Sequence, residues 1–464
     1  MPKENKNLEE NPLLVLSELT ALSSVDGRYG PRTAKLRRYL SEYALFKYRT
    51  FVELEYFKAM CPTVPQLSDF DCTWYFKSFD CIVTDFSVDD ASQMKALEKV
   101  TNHDVEAVKQ FLKDMFDKDD NGYYKEFIHF GLTSYDINSP AVNMMVRDAM
   151  NDVILPELDY LISQIFLLAE EWKQIPILAH THGQPASPTK LGKELEVFVE
   201  RLSVIRKDIS EYVYEAKFGG ATGNFNAHYA AYPNIDWHLW ANAFLQDAFH
   251  LRRQQTTTQI EHYDNLAKLF NLIKSINVVF IDMAADMWSY ISMGYFSQKV
   301  KTGEVGSSAM PHKVNPIDFE NAEGNSGIAI ALFEHLSRKL PISRLQRDLT
   351  GSTVERVIGM PLAHFLISIS ALQKAFGKVV PNLKKIDFDL NQNWVVIAEG
   401  IQTILRRENY PDAYNALKKL TRTGENELIT KDIIHIWIDT ELVGVSDKVK
   451  KELKKLTPWN YVGK

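Results

Sequence analysis

The chain has 464 residues, of which 45% are hydrophobic and 24% are charged, and its formal net charge at pH 7 is -7. Both fractions are typical of folded globular proteins, so a disordered chain and a small disulfide-stapled scaffold are excluded. The negative charge gives no electrostatic reason to expect nucleic-acid binding. Cys61, Cys72 and Cys81 form no CxxC pair, and the N-terminus lacks the order of charged and apolar residues found in signal peptides. Without an apolar run of membrane-spanning length, we expect a cytoplasmic protein with no membrane partner.

Three polar segments come first along the chain. "VDGRYG" (25–30) predicts a turn that presents Arg28 and Tyr29, and "TNHDVEA" (101–107) contains Asn102, His103 and Asp104. "HFGLTSYDIN" (129–138) contains Thr133 and Ser134. Each segment also has a purely structural explanation, because Asp, Asn, Ser and Thr are common in turns and as helix caps. Between the first two, "CIVTDFSV" (81–88) is the best candidate for a β-strand.

Long apolar seams with helical spacing dominate the middle of the chain. One runs from Ile154 to Leu168, a second from Val199 to Val213, and the longest from Leu266 to Tyr290, in a window from Asn234 to Met310 that contains no proline. Helices with such seams pack side by side as a bundle. We therefore predict a mainly α fold with an N-terminal helical domain (1–122), a central long-helix bundle (123–376) and a C-terminal helical domain (377–464). Broad apolar faces also favour association between subunits.

"HTHGQPASPTK" (180–190) precedes the second seam and predicts a Gly/Pro loop just ahead of a long helix. A metal pair formed by His180 and His182 is one reading, but no HExxH motif or suitably spaced third ligand supports it. Proton transfer is the better explanation, because imidazole titrates near pH ~6.5 and both protonation states are accessible. We predict no metal and no cofactor.

"GEVGSSAMPHKVNPIDFE" (303–320) combines glycines, two serines and Lys313 ahead of a predicted helix. Backbone N–H groups at a helix start and a lysine suit a carboxylate or a carbanion that delocalises onto one. The stretch has neither the GxxxxGK[ST] motif of nucleotide-triphosphate loops nor the GxSxG motif of hydrolases. A plain surface loop remains the alternative.

"SRLQRDLTGSTVER" (343–356) supplies arginines and hydroxyl groups, the combination that recognises phosphate through charge-assisted hydrogen bonds. The alternative is an exposed basic helix end.

Together, "GSSAMPHKVNPIDFE", "THGQPASPTKLGKE", "TNHDVEA", "GGATGNFNAH" and "RLQRDLTGSTVER" resemble the fumarase/aspartase superfamily of lyases, and within it the bacterial-type adenylosuccinate lyases. The resemblance covers most of residues 20–360. It implies elimination of fumarate from adenylosuccinate, giving AMP, and from succinylaminoimidazole carboxamide ribotide (SAICAR), giving AICAR, in purine biosynthesis. It also implies a homotetramer with shared active sites.

The resemblance assigns roles to individual residues. His182 matches the general acid that protonates the departing nitrogen, Ser307 the general base that removes the succinyl β-proton, and Glu320 the carboxylate that orients the acid. Lys313 and Asn315 match the residues that hold the succinyl carboxylates. The matches to nucleotide and phosphate contacts are Arg28, Tyr29, His103, Arg347, Ser352, Thr353 and Arg356. The matches to further substrate contacts are Asn102, Asp104, Thr133, Ser134 and Gln259.

One position departs from the family pattern, because many members carry arginine where this chain has His180. That leaves His180 as a second candidate acid. Two alternative functions stay open: another fumarate-releasing lyase of the argininosuccinate type, and a catalytically silent structural tetramer.

Overall fold

The computed structural model describes residues 16–70, 72–118, 122–299, 310, 314–421 and 428–463. Most of them lie in α-helices, and the strands are few and short, so the prediction of a mainly α fold is confirmed. The helices are α1 (Gly30–Thr33), α2 (Arg37–Leu40), α3 (Glu42–Met60), α4 (Cys72–Thr84), α5 (Val88–Thr101), α6 (Asp104–Lys118), α7 (Ser134–Ala149), α8 (Leu155–Glu171), α9 (Leu191–Ser210), α10 (Asn226–Ala231), α11 (Trp237–Phe249), α12 (Asp264–Ser292), α13 (Ile317–Lys339), α14 (Thr350–Glu355), α15 (Gly359–Phe376), α16 (Leu383–Gln392), α17 (Ala398–Arg407), α18 (Ala413–Thr421), α19 (Lys431–Thr440) and α20 (Asp447–Leu453).

The strands form three two-stranded sheets within the described ranges. They are β1 (Pro176–Thr181), β2 (Gln184–Lys190), β3 (Glu215–Ala216), β4 (Arg252–Arg253), β5 (Phe296–Gln298) and β6 (Val379–Pro381). β1 pairs with β2 and β5 with β6 in antiparallel fashion, whereas β3 and β4 are parallel.

The chain divides into two compact units. The first contains Met1–Asp159, Ile205–Phe280 and Gly324–Ser370, and the second contains Tyr160–Val204, Ile281–Glu323 and Ala371–Lys464. Each unit thus gathers separate stretches of the sequence. The three-domain division at residues 122 and 376 stays a prediction.

In the first unit, α3 is the central helix and contacts α4, α5, α6, α7 and α11. Its aromatic residues Tyr56 and Phe57 are fully buried in a large apolar cluster. The rings of Tyr56 and Phe244 lie 5.8 Å apart in edge-to-face geometry, the arrangement that aromatic pairs prefer. In the second unit, α16 packs on β1, and the residues after α16 contact β2.

The predicted apolar seams coincide with long helices. α12 has 29 residues, and its seam residues from Leu266 to Met287 are buried. The seam that begins at Ile154 lies largely on α8, where Leu158, Leu161 and Ile165 are fully buried. The second seam is only partly right, because α9 ends at Ser210 and Val213 beyond it is exposed.

The strand predicted at 81–88 is wrong. Residues 81–84 form the last turn of α4, and α5 begins at Val88. Phe79 is buried, and Tyr75, Phe76, Ile82 and Val83 pack against the same cluster, so their spacing of three and four places one helical face on the core. The short β-branched run therefore continued a helical pattern.

Within the described residues, one helical stretch, Thr350–Phe376, is long and apolar enough by composition to cross a membrane. Its most apolar window is 67% buried inside the protein. That degree of burial is typical of a core helix.

A buried ion pair joins the start of α7 to the segment after β3. Lys217 and Asp136 have fully buried side chains, and Lys217 Nζ donates to Asp136 Oδ1 at 2.7 Å and to the Gly220 carbonyl at 2.6 Å. The same carboxylate accepts from the Gly219 N–H at 2.8 Å. Both charges are therefore compensated by several polar partners, as burial requires.

We predict that Lys217→Met lowers the free energy of unfolding by about 3–5 kcal/mol, because it leaves Asp136 buried without its cation. Urea unfolding at a fixed protein concentration measures the change. Lys35→Met is the control, since the exposed pair of Lys35 with Glu157 should contribute about 1 kcal/mol or less. Equal losses in the two variants would contradict this account.

Candidate active site

The first unit contains a cavity of about 310 Å³. Its described lining comes from α2, α3, the junction of α5 and α6, α7, and the stretch from Arg347 to Gly359. Residues predicted as substrate contacts from three separate segments meet there: Asn102, His103, Asp104, Ser134, Arg347, Ser352 and Arg356.

The junction of α5 and α6 places three of these residues. Asn102 ends α5 in a left-handed conformation (φ 53°), and α6 begins at Asp104. His103 Nδ1 accepts the N–H of Glu106 at 3.2 Å, so the neutral imidazole carries its proton on Nε2. His103 Nε2 lies 3.4 Å from Ser134 Oγ. An exposed N–H donor therefore faces the start of α7.

Asp104 links Arg49 of α3 to Arg356, which follows α14. Its Oδ2 accepts from Arg49 Nη2 and from Arg356 Nη2, each at 2.8 Å. Burial raises the pKa of Asp104, but the charge and hydrogen bond of Arg49, followed by the charge of Arg356, outweigh it and leave the pKa below its ordinary value. Arg356 also donates to Glu42 Oε2 at 3.0 Å. The guanidinium of Arg356 is thus held at the cavity by two carboxylates.

Arg347 and Ser352 are held by aromatic and amide groups. The Arg347 guanidinium lies 4.7 Å from the centre of the Tyr135 ring, and its Nη1 donates to Gln259 Oε1 at 3.3 Å. Ser352 Oγ and Tyr135 Oη are 3.0 Å apart. Gln259, predicted as a substrate contact, is thereby connected to the cavity through Arg347.

Four other predicted contacts are not among the described residues that line the cavity. Arg28 is exposed and Tyr29 half-buried in the turn before α1. Thr133 is half-buried immediately before α7, and its N–H donates to Asp136 Oδ2 at 2.9 Å. Thr353 is exposed on α14.

Sequence reasoning missed several charged lining residues, among them Arg49, Glu42 and Glu355. Burial raises the pKa of Glu355 to about 7, against the lowering effect of a hydrogen bond from Tyr263. Arg49 could have been found from its spacing, because it and Glu53 lie one helical turn apart on the buried face of α3. Two ionisable groups on an apolar helix face signal a buried polar network. Glu42 and Glu355 carry no comparable signal.

In the second unit, the segment predicted as a Gly/Pro loop is a β-hairpin ahead of α9. Thr181 pairs with Gln184, so His182 and Gly183 form a two-residue turn, with φ values of 54° and 73°. Two consecutive residues with positive φ are the signature of a type I′ turn, which matches the twist of a hairpin. The predicted acid is exposed at the tip.

His180 lies in a different environment from His182. It is half-buried, and its ring centroid is 5.9 Å from that of Tyr295. Its Nδ1 is buried without a hydrogen-bond partner among the described atoms. Exposure at the hairpin tip therefore favours His182 for contact with a ligand.

Glu320 lies in the first turn of α13 and accepts from Trp288 Nε1 at 3.1 Å. Beside it, the buried Asp318 pairs with Lys374 at 2.8 Å and Lys378 at 3.2 Å, which anchors this helix start. Asn315 is half-buried just before α13. Ser307 and Lys313, the predicted base and carboxylate-binding lysine, lie outside the described residues.

The arginines and hydroxyls of the first-unit cavity suit an anionic substrate, because such donors hold an anion. The second unit separately presents an exposed histidine, a residue type that can transfer a proton. The family model described as "Lyase" matches residues 35–330, and the fold is shared with the crystal structure of 3-carboxy-cis,cis-muconate lactonizing enzyme from Pseudomonas putida. That structure has a TM-score of 0.72 at 18% identity, over 93% of this chain and 94% of the other. The fold and site therefore define a lyase.

A second family model, "Adenylosuccinate lyase C-terminal", matches residues 343–462. Adenylosuccinate lyase from Dictyostelium discoideum is 48% identical over 97% of each chain. Adenylosuccinate lyase from Legionella pneumophila (strain Corby) is 43% identical over 97% of this chain and 98% of that one. The chain belongs to the adenylosuccinate lyase family of carbon–nitrogen lyases, which confirms the resemblance seen in its motifs.

We predict that Gly183→Ala lowers the turnover number by roughly 10- to 100-fold. The substitution should displace the adjoining His182, so that the proposed acid is no longer aligned with the substrate. The cause would be backbone strain, since a Cβ at Gly183 meets no atom within 4 Å. Gly444→Ala is the matched control, with a φ of +83° and equally open space. Steady-state kinetics and thermal unfolding separate the two effects, and equal turnover in both variants would refute the prediction.

Proposed function

We propose that this protein cleaves adenylosuccinate to AMP and fumarate, and SAICAR to AICAR and fumarate. The observation that carries the proposal is the cavity of the first unit, where Arg347, Ser352 and Arg356 converge with His103 and Ser134. Arginine and hydroxyl donors of this kind match a nucleotide phosphate, and membership of the family supplies the reaction.

His182 is the proposed general acid and Ser307 the proposed general base. Ser307 removes the β-proton of the succinyl group, the electron pair forms the double bond of fumarate, the carbon–nitrogen bond breaks, and His182 protonates the departing nitrogen. Glu320 orients the acid, and Lys313 and Asn315 stabilise the charge that develops on the succinyl carboxylates. A serine can act as base only where its alkoxide is stabilised by N–H groups and cations away from water.

The proposed assembly is a homotetramer whose active sites combine residues from several subunits. Large apolar side chains support it, because they are exposed on the long helices and a soluble monomer rarely leaves so many uncovered. They are Phe166, Leu167, Val197, Val204, Val278, Trp288 and Ile328. The exposed hairpin tip at His182 also suits donation of the acid to a neighbouring copy.

The proposed location is the cytoplasm, and the proposed partners are small succinylated nucleotides, without nucleic acid or membrane. The cysteines support a reducing compartment, because Cys61, Cys72 and Cys81 are odd in number and form no CxxC pair, a pattern that argues against a disulfide framework. Net charge of -7 gives no attraction to polyanions. The preference of the enzyme for adenylosuccinate or SAICAR can be measured from the relative rates at which the two release fumarate.

Two alternatives make different predictions. An argininosuccinate-type lyase would release fumarate from a substrate without phosphate. It would therefore not need the phosphate-binding donors proposed at Arg347, Ser352 and Arg356. A silent structural tetramer would release no fumarate from either nucleotide. Absorbance measurements of fumarate release from adenylosuccinate and argininosuccinate therefore distinguish all three functions.

We predict that His182→Ala reduces turnover by about 10²–10⁴-fold, the usual contribution of a general acid, while the oligomer stays intact. His180→Ala is the matched control from the same hairpin and should retain most of the activity. Fumarate release and size-exclusion chromatography measure the two effects. A near-normal rate for the His182 variant, with loss in the His180 variant, would reverse the assignment of the acid.

We predict that Ser307→Ala abolishes exchange of the succinyl β-proton with solvent, because the group that removes the proton is gone. Deuterium incorporation into adenylosuccinate, followed by NMR, measures the exchange directly. Ser308→Ala is the control from the neighbouring position and should exchange normally. Exchange that survives in the Ser307 variant would refute its role as base.

A further inference from the structure

Arg49 is a buried arginine that lines the cavity of the first unit. It lies on α3 with only 3% of its surface exposed. Arginine is rarely buried to this extent unless its charge is paired and its donors are used. The partners of its guanidinium therefore indicate what the residue does.

Two of the three guanidinium nitrogens of Arg49 have firm partners. Nε donates to Asn138 Oδ1 at 2.8 Å, and Nη2 donates to Asp104 Oδ2 at 2.8 Å. Nη1 is buried and has no partner among the described residues. Because the guanidinium is planar, the first two bonds also fix the direction of Nη1. An unpaired buried donor on a charged group is costly, so its retention points to a ligand.

The neighbours of Arg49 indicate the chemistry of that ligand. Arg49 and Arg356 donate to the same oxygen, Asp104 Oδ2, so their guanidinium groups are adjacent. Arg347 and Ser352 line the same cavity. Of the described carboxylates that line the cavity, Glu42 and Asp104 are already paired with arginine. Glu98 is paired with Lys95, and Glu355 accepts a hydrogen bond from Tyr263. Three guanidinium groups around one cavity favour an anion with several acceptor oxygens, such as a phosphate.

We propose that Arg49 binds the substrate directly, with Nη1 donating to a phosphate oxygen of the nucleotide beside Arg356. The proposal rests on the proposed function for the identity of the phosphate as part of a nucleotide. Asn138 and Asp104 act as positioning residues, because they hold the guanidinium plane before the ligand arrives. Such preorganisation strengthens binding without a cost of reordering.

Calorimetric titration of the intact enzyme with AMP and with adenosine tests the contact. Arg49→Lys keeps the charge but removes the planar fork, so it should weaken AMP binding by about 10- to 100-fold, the range for one hydrogen bond to a charged group. Adenosine binding should change by less than about 2-fold, because adenosine has no phosphate. Arg206→Lys, which alters an arginine paired with Asp159 away from the cavity, is the matched control. Equal loss of both ligands, or no loss of AMP binding, would overturn the proposal.

Steady-state kinetics distinguish a role of Arg49 in substrate binding from a purely structural role. Arg49→Lys should raise KM for adenylosuccinate and leave kcat nearly unchanged, as expected when ground state and transition state lose the same contact. A fall in kcat without a change in KM would overturn the proposal. If wild-type enzyme releases no fumarate, the proposed function fails, whereas the AMP titration still tests Arg49 alone.

A structure of the wild-type protein with AMP bound tests the Arg49 contact without a variant, so a folding defect in Arg49→Lys cannot affect the result. Arg49 Nη1 should then lie about 3 Å from a phosphate oxygen, within the range of a charge-assisted hydrogen bond. A phosphate bound only by Arg347, Ser352 and Arg356, with Nη1 still unpaired, would overturn the proposal.

Discussion

The buried carboxylate of Asp136 is the constraint on which the polar interior of the first unit depends. It accepts the Thr133 N–H at 2.9 Å, the Gly219 N–H at 2.8 Å and the Lys217 ammonium at 2.7 Å. A carboxylate buried without such donors would be prohibitively costly, so the start of α7 and the glycine segment must stay together. Ser134 therefore enters the cavity from a backbone that is already fixed.

Asp104 plays a similar part at the cavity itself, because its carboxylate also joins separate segments of the chain. It stands at the start of α6 and joins Arg49 of α3 to Arg356, which follows α14. Asp104 thus cross-links the cavity-lining arginines Arg49, from within α3, and Arg356, from just beyond α14. Such cross-links by charge suit a cavity that would hold an anion in one orientation. The proposed acid, His182, is placed differently, at an exposed turn of two residues. A proton donor at this exposed turn is accessible to a ligand, whereas the arginine that Asp104 holds on α3 is buried.

Sequence reasoning succeeded where a local pattern corresponds to a local physical cause. The seams on α8 and α12 follow from a helical period and were found correctly. Arg347, Ser352 and Arg356, which one motif groups together, line one cavity, and their role as an anion site stays a prediction. The strand expected at 81–88 failed because a short β-branched run cannot be distinguished from a helix turn without its neighbours. The hairpin at His182 was missed because its glycine and prolines resemble an irregular loop.

The sequence by itself determined the helical class, the family and most of the candidate chemistry, because these are recorded in periodicity and in contiguous motifs. Only the tertiary structure decided which segments share one cavity, and that Arg49 and Glu355 belong to it. These residues act through partners far away in the chain, as Arg49 does with Asp104 and Asn138. Burial, which shifts the pKa of Glu355 to about 7, is likewise a property of packing and not of any short stretch of residues.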